Sequence, residues 1–479
     1  MYGYGYRYNS GLVIGAGGGA PFNTKSILFD GVDDYLDCGV TGNINSLPNL
    51  SISCWFKTTT TDANSIIVGS DSQSNGRRFL LSSADSSGIK LRFLYFKTFS
   101  TYGIIYSTSN INDGNWHHVL AVNNGTNMLL YLDGILESSN ADGGIIQTAV
   151  NTPLNIGRRD YLGSHFNFAG NVDEVAIWGT DQSSNIATLS TAPTVDLSSL
   201  SPLAWYRNGD NGAYKSPQWL IPNNENKDKV SNYSMEFFGI DQHLNIGAPS
   251  VLSNTSNFSI SCWVKQTTSA INYRRVFGKY ASASDMIFLG TAATTNYFTF
   301  YITNGGATSG VVSNVGIGFN VWKHVTLVYD GTLTGNQNRA KIYVDGVNVT
   351  ATDSGTIPAT TTADASDFYL GKVNGLGSFY YYGNMDEFAI FDYSLTPAEV
   401  LSISSEPTDL TSLSPTSWLK LGDNSTFAGG VWTVVDEVGT NDGSSVNMDI
   451  EDRIGEAPNS ENNGLSFNMD FVDVVPDVP

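Results

Sequence analysis

Ser51-Ile52-Ser53-Cys54-Trp55-Phe56-Lys57 returns far downstream as Ser259-Ile260-Ser261-Cys262-Trp263-Val264-Lys265. Solenoid repeats recur every roughly 20–50 residues, and this spacing is several times longer. Each copy is therefore expected to be a whole domain with its own core. Ile52, Cys54 and Phe56 alternate with Ser51, Ser53 and Trp55, the period of two of a β-strand with both faces partly apolar. Working outward, Ser26-Ile27-Leu28-Phe29-Asp30-Gly31-Val32-Asp33 answers to Ser234-Met235-Glu236-Phe237-Phe238-Gly239-Ile240-Asp241. Trp116-His117-His118-Val119 answers to Trp322-Lys323-His324-Val325, and Tyr131-Leu132-Asp133-Gly134 to Tyr343-Val344-Asp345-Gly346. Asn171-Val172-Asp173-Glu174-Val175 answers to Asn384-Met385-Asp386-Glu387-Phe388. The blocks keep their order while the spacing between them drifts, as fixed strands joined by variable loops would.

The chain divides accordingly. Residues 1–24 form a Tyr/Gly-rich arm, 25–195 the first body, 196–230 a linking tail, 231–408 the second body and 409–479 a second tail. The tails repeat too: Asp196-Leu197-Ser198-Ser199-Leu200-Ser201-Pro202 recurs as Asp409-Leu410-Thr411-Ser412-Leu413-Ser414-Pro415, with Trp205 matched by Trp418. Asp133-Gly134 and Asp345-Gly346, flanked by apolar alternation, predict tight hairpins. Thr396 and Pro397 predict the start of one short helix, as N-cap and first-turn residue.

With 479 residues and 41% hydrophobic content, the chain can build two or three full cores. Charged residues are 14% against about 25% in typical domains, with Gly, Ser, Thr and Asn in their place. A net charge of −21 and no basic stripe argue against nucleic acid as a partner. No apolar run reaches the ~20 residues needed to cross a bilayer, so membrane insertion is not expected. The N-terminal Met1-Tyr2-Gly3-Tyr4-Gly5-Tyr6-Arg7-Tyr8 lacks the character of a cleaved leader. Cys54 and Cys262 are equivalent and Cys38 aligns with Ile246, which predicts free, buried thiols; a Cys38–Cys54 bridge would have no counterpart in the second copy.

Together these blocks resemble the laminin-G-like and pentraxin-like family of concanavalin A-type jelly rolls. The landmarks are Phe29–Tyr35, Ile52–Trp55, Asp113–Val119, Tyr131–Gly134 and Gly170–Val175, five in order and largely repeated in the second copy. The second copy loosens the opening, with Gln242 and His243 where the first has Asp34 and Tyr35. The resemblance implies an all-β protein of two tandem antiparallel β-sandwich jelly rolls with β-rich tails. The scaffold itself does not dictate function.

Retaining glycosidases need two carboxylates about 5–5.5 Å apart. Related folds place them at i and i+4 on one strand; no such motif occurs here. Asp173-Glu174 and Asp386-Glu387 are adjacent, and neighbouring strand residues point to opposite faces. No catalytic residue is assigned and no enzyme activity is expected. His117, His118 and His324 beside Trp116 and Trp322 read as aromatic packing. No cofactor is required. The acidic cluster Asp30, Asp33 and Asp34, with Glu174 from the closing strand, offers hard oxygen ligands suited to calcium in the first jelly roll; acids in a glycine turn are also commonplace without a metal. Tyr161 and His165, in the loop Arg158–His165, and Tyr380 and Tyr381, in the matching loop, are the sugar-stacking candidates, although alternation sends some of these rings to the core.

Tandem modules of this kind with Ser/Thr/Asn/Gly-rich surfaces look like bacteriophage structural proteins. The expectation is therefore a non-enzymatic virion-surface protein, a tail-associated adhesin or capsid decoration. It would bind cell-surface or extracellular polysaccharide, and would meet other virion proteins or sister subunits through residues 1–24 and the tails. A secreted, extracellular bacterial lectin or adhesion module is the alternative, and a glycoside hydrolase the third reading.

Overall fold

The structure is a computed structural model. The described residues are 25–39, 44–72, 76–85, 88–149, 152–161, 164–193, 195–208, 212–215, 218–226, 229–267, 274–292, 296–306, 308–377, 379–467 and 470–472; residues 85, 160–161, 164–165, 214–215, 467 and 470–472 are described by backbone alone. The arm 1–24 lies outside them.

Each body is a sandwich of antiparallel strands around its own core. In the first, Leu50–Lys57 sits mid-sheet between Trp116–Asn123 and Ala169–Trp178, with Ser26–Asp30 beyond. The second sheet runs through Tyr35–Asp37, Asn155–Ile156, Ile66–Ser72, Gly76–Asp85, Ile89–Phe96 and Tyr102–Asn110. Ile52, Cys54 and Phe56 face Val68, Leu81, Phe93 and Ile156 in one cluster of buried side chains. In the second body Ile260, Cys262 and Val264 take the same inward places against Phe277, Leu289, Phe300 and Phe368. All three cysteines are free and buried. Burial drives their pKa up, to a value well outside the thiolate range.

The hairpins form where the turn chemistry requires. Asp133 (φ 50°) and Gly134 (φ 81°) join Met128–Leu132 to Ile135–Asn140; Asp345 (φ 48°) and Gly346 (φ 79°) join Ala340–Val344 to Val347–Asn348. Both central residues lie at positive φ, the twist that suits a two-residue hairpin. The helix Pro397–Ser402 opens with Thr396, whose side chain accepts from the Glu399 backbone N–H while the Glu399 carboxylate accepts from that of Thr396. Among the described residues no helix is long and apolar enough to cross a membrane.

The tails resolve into cover and extension. Residues 183–193 and 195–205 lie over the outer side of the first body's Leu50–Lys57 sheet, where Leu189, Leu197 and Trp205 bury Leu120, Val122 and Trp178. Ala204–Tyr206 then pairs with Ala169–Trp178, as Ser417–Leu419 pairs with Tyr382–Phe391. In the second body, Ser425–Ala428, Val431–Val434 and Gly443–Val446 extend the other sheet beyond His243–Asn245. In the first body that extension is made of Ala213–Lys215, Gln218–Ile221 and, from the far end of the chain, Gly464–Phe467. Asp470–Val472 adds to Ser26–Asp30. The first jelly roll is thus built from two separated stretches of sequence.

Candidate functional site

Three places bear on binding: the acidic opening loop, the paired carboxylates of the closing strand, and the loops that overhang the larger sheet.

Asp30, Asp33 and Asp34 converge, with carboxylate oxygens all within 4.8 Å of one another. The chain gathers them by turning at Gly31 (φ 80°): Asp30 Oδ1 accepts from the Val32 N–H (2.7 Å), and Asp34 Oδ2 from that of Asp30 (2.7 Å). Asp34 is buried, and desolvation raises its pKa to about 6. The donor set is all oxygen and anionic, which suits a hard divalent cation. The second copy places Phe238, Asp241 and Gln242 at these positions and has no such trio.

Glu174 is not part of this cluster, which corrects its assignment as a fourth ligand. Its Oε2 accepts from Trp205 Nε1 (2.6 Å) and its Oε1 from Arg207 Nε (3.0 Å) beneath the tail. The cause is a bulge: register slips between Asp173 and Ala176 opposite Trp55 and Ser53, and Glu174 takes φ 47°. The second copy repeats it, with Glu387 at φ 48° and Oε2 accepting from Trp418 Nε1 (2.5 Å). The extra residue breaks the simple alternation that would send neighbouring acids to opposite faces. Asp386 and Glu387 are both buried; burial raises both pKa values, and the negative charge of Glu387 adds to the rise at Asp386. Ser231 Oγ donates to Asp386 Oδ2 (2.6 Å) and lies 3.1 Å from Asp423 Oδ2. These acids fasten tail to body.

The histidines pack against the repeated tryptophans. His118 lies 5.2 Å from the Trp55 ring and His324 5.1 Å from Trp263. His118 Nε2 meets Ser53 Oγ at 2.8 Å. Burial lowers both histidines to about 3, so their rings are neutral. His117 lies between Asp133 (2.7 Å) and Asp113 (3.1 Å), and the hydrogen bond to Asp133 leads the rise in its pKa.

The overhanging loops differ in what they show. In the first body the loop backbone forms a small hairpin, Asp160–Tyr161 with Ser164–His165. The side chains of the candidates Tyr161 and His165 lie outside the described residues. The loop's base is pinned by Asp71, which accepts from Arg77 (2.7 Å) and Arg159 (3.1 Å), while the Arg158 guanidinium sits 3.2 Å from the Tyr35 ring centroid. In the second body Tyr381 is fully buried, 6.3 Å from Phe237, which removes it from the sugar-stacking candidates. It points inward because its neighbours Tyr380 and Tyr382 point out, the alternation of an extended segment. Tyr380 is half-buried, its carbonyl accepting from Arg274 Nη1 (3.0 Å). Phe379 (37% exposed) and Phe238 (38%) are the open rings, with Arg275 5.6 Å from the first and Tyr382 6.5 Å from the second. Sequence reading overlooked Phe238 because it sits in the opening strand; its outward place in the alternation after Phe237 was the available signal.

The pair of sandwiches, each closed by a tail, defines a tandem jelly-roll class of protein. A family model described as the concanavalin A-like lectin/glucanases superfamily matches residues 30–185 and 238–401. The chain belongs to that superfamily. Solved structures with similar folds include domains LG4–5 of the mouse laminin α1 chain, at 16% identity, covering 79% of this chain and 89% of that one with a TM-score of 0.28. A Bacteroides ovatus protein provisionally described as carbohydrate-binding covers 91% of this chain and 96% of its own, at 12% identity and TM-score 0.35. The pentraxin of Limulus polyphemus covers 37% and 83%, at 16% identity and TM-score 0.28. No curated protein matches the chain.

Proposed function

We propose that this chain is a non-enzymatic surface protein of a virus particle whose lectin-like jelly rolls bind carbohydrate on cells or in extracellular polysaccharide. The observation that carries the binding reading is the aromatic rim of the second body. Phe379 and Phe238 are 37% and 38% exposed, with Tyr380 and Tyr382 nearby, Arg275 over the Phe379 ring and Arg274 on the Tyr380 carbonyl. Exposed rings stack on sugar faces while neighbouring polar groups take the hydroxyls. The non-enzymatic reading is supported by the burial of both adjacent acid pairs: Asp173, Glu174, Asp386 and Glu387 are each at most 4% exposed. The particle assignment is supported by the likeness of tandem modules of this composition to phage structural proteins. Calcium on Asp30, Asp33 and Asp34 is part of the same proposal.

A glycan array with the intact protein and with Phe379→Ala and Phe238→Ala tests binding. Signals that fall at least tenfold in the variants support the rim; undiminished signals refute it. New reducing ends released from polysaccharide would refute the non-enzymatic reading. Mass spectrometry of purified particles tests location, and a protein found only in culture medium would favour a secreted lectin. A calcium-dependent rise in thermal midpoint that vanishes in Asp33→Asn supports the metal, and no rise refutes it.

A further inference from the structure

Two segments late in the chain carry one pattern. Gly443-Ser444-Ser445-Val446-Asn447-Met448-Asp449 is matched by Gly464-Leu465-Ser466-Phe467-Asn468-Met469-Asp470, with Gly, Ser, Asn, Met and Asp at equal places. The structure puts Gly443–Val446 and Gly464–Phe467 in the same seat of their respective sandwiches. Ser444, Ser445 and Val446 face Asn245, Leu244 and His243; Leu465, Ser466 and Phe467 face Asp37, Leu36 and Tyr35. On the other flank Ser444 faces Thr433, and Leu465 faces Leu220. The shared serine does the same work in each: Ser445 Oγ accepts from the Trp432 N–H and Ser466 Oγ from the Trp219 N–H, both at 2.7 Å. The shared glycine fits closely in the first seat: a Cβ on Gly464 would come 2.8 Å from the buried Leu36 side chain, which would have to shift.

The seats are filled by different routes. In the second body the strand follows Val431–Val434 within the same tail. In the first, the chain leaves Gln218–Ile221 and passes straight into the second jelly roll, so the place between Tyr35–Asp37 and Gln218–Ile221 is taken by a strand from beyond it. Emptied, that place would leave two backbone edges unpaired above buried Leu36 and Ile221. The residues leading into the strand belong to the seat as well. Tyr206 donates to the Asn462 carbonyl (2.7 Å), the Asn223 N–H to Asn463 Oδ1 (2.8 Å), and Asn226 Nδ2 to Asn463 Oδ1 (2.7 Å). All of these bonds are the same whichever molecule supplies the strand. Rerouting would fall on the stretch 457–460, since Glu456 is held by Lys265 Nζ (2.6 Å) of the second body, and it would break the bond from the Asn463 N–H to the Gly455 carbonyl (2.6 Å). Exchange of an identical element between copies is a low-cost route to association when only a short connector changes path.

We propose that the first jelly roll carries a strand-acceptor site for a Gly-x-Ser-x segment, and that a second copy of this chain can fill it with the strand Gly464–Phe467. Strand addition supplies the backbone pairing, and the buried serine and glycine set the register. Each molecule then offers one strand and one seat, which links copies head to tail. The proposal does not depend on carbohydrate binding.

The test uses the full-length chain carrying Gly464→Lys, which keeps every other residue and drives a long side chain against Leu36 in its own seat. It is expected to melt below the intact protein, to recover that midpoint with a synthetic peptide of residues 461–474, and to form a one-to-one complex with the intact chain by native mass spectrometry. A midpoint equal to that of the intact protein, or equal rescue by the peptide bearing Gly464→Lys, overturns the proposal. Should the variant fail to fold, two intact preparations of different isotopic mass are warmed together below unfolding and cooled. Mixed-mass complexes support exchange, and their absence overturns it.

Discussion

At the residue scale, the most telling feature is a glutamate held at positive φ in both copies. Glu174 and Glu387 each sit on a bulge and accept from a tail tryptophan, but only Glu174 also has a close arginine, Arg207 at 3.0 Å. Among the described residues no arginine pairs with Glu387, and burial raises its pKa against the opposing charge of Lys420. A raised carboxyl binds its proton more tightly in the folded chain. Its contribution to stability is full below the unfolded value near 4.5 and is lost as pH rises through the folded value, at up to about 1.4 kcal/mol per pH unit. Glu387→Gln keeps an acceptor for Trp418 and removes the titration. Thermal melts at pH 5 and pH 8 are therefore expected to differ less in this variant than in the parent; an unchanged difference would contradict the assignment. Trp55 and Trp263, each 6% exposed against a buried histidine, are expected to cost about 3–5 kcal/mol when truncated to Ala, read from denaturant unfolding.

At the scale of elements, the sequence periodicities located the strands and hairpins, and the Asp-Gly turns and the Thr396 cap formed as their residue chemistry requires. The bulge was not legible, because an inserted residue leaves no mark in an alternating pattern until the partner strand is known. The sugar-stacking loop was legible in part: Tyr380 and the inward Tyr381 occupy neighbouring places, and only packing told them apart. The matching loop of the first body hangs on Asp71, whose side chain is fully buried between Arg77 and Arg159. Removing one partner of a buried ionic group leaves the others uncompensated, at about 3–5 kcal/mol. Asp71→Ala is expected to lower the first jelly roll's stability by that amount and to raise protease cleavage within 157–168. A loop as resistant as in the parent would show that Asp71 does not anchor it.

At the scale of the whole molecule, buried groups of opposite kinds shape the pH response. Asp452 is raised to about 7 and Asp34 to about 6 by burial, and Asp386, Glu387 and Asp423 are raised as well. Their contribution is lost as pH rises through those values, and the growing net charge, −21 at pH 7, adds self-repulsion. His118 and His324, lowered to about 3, act the other way: the unfolded chain takes up their protons as pH falls below about 6.5, so stability drops there. The five raised acids outnumber the two histidines, so the thermal midpoint is expected to fall as pH rises from about 5 to 8. A midpoint rising steadily to pH 8 would show that the buried acids do not hold their protons.

The duplication, the β-class and the two cores followed from the sequence alone, since alternation, turn residues and a repeated strand are local properties that each segment carries by itself. The opening acid cluster was equally local, three aspartates within one turn. What only the tertiary structure decided are the relations between distant segments. Glu174 left the proposed metal site because a tail tryptophan and arginine claim it. The strand between Tyr35–Asp37 and Gln218–Ile221 of the first jelly roll comes from residues 464–467, although the pattern shared with residues 443–449 was present in the sequence. A strand's pattern specifies a kind of edge to pair with, and two equivalent jelly rolls offer that edge twice. Which one it takes depends on the path of the chain and on the packing at the seat.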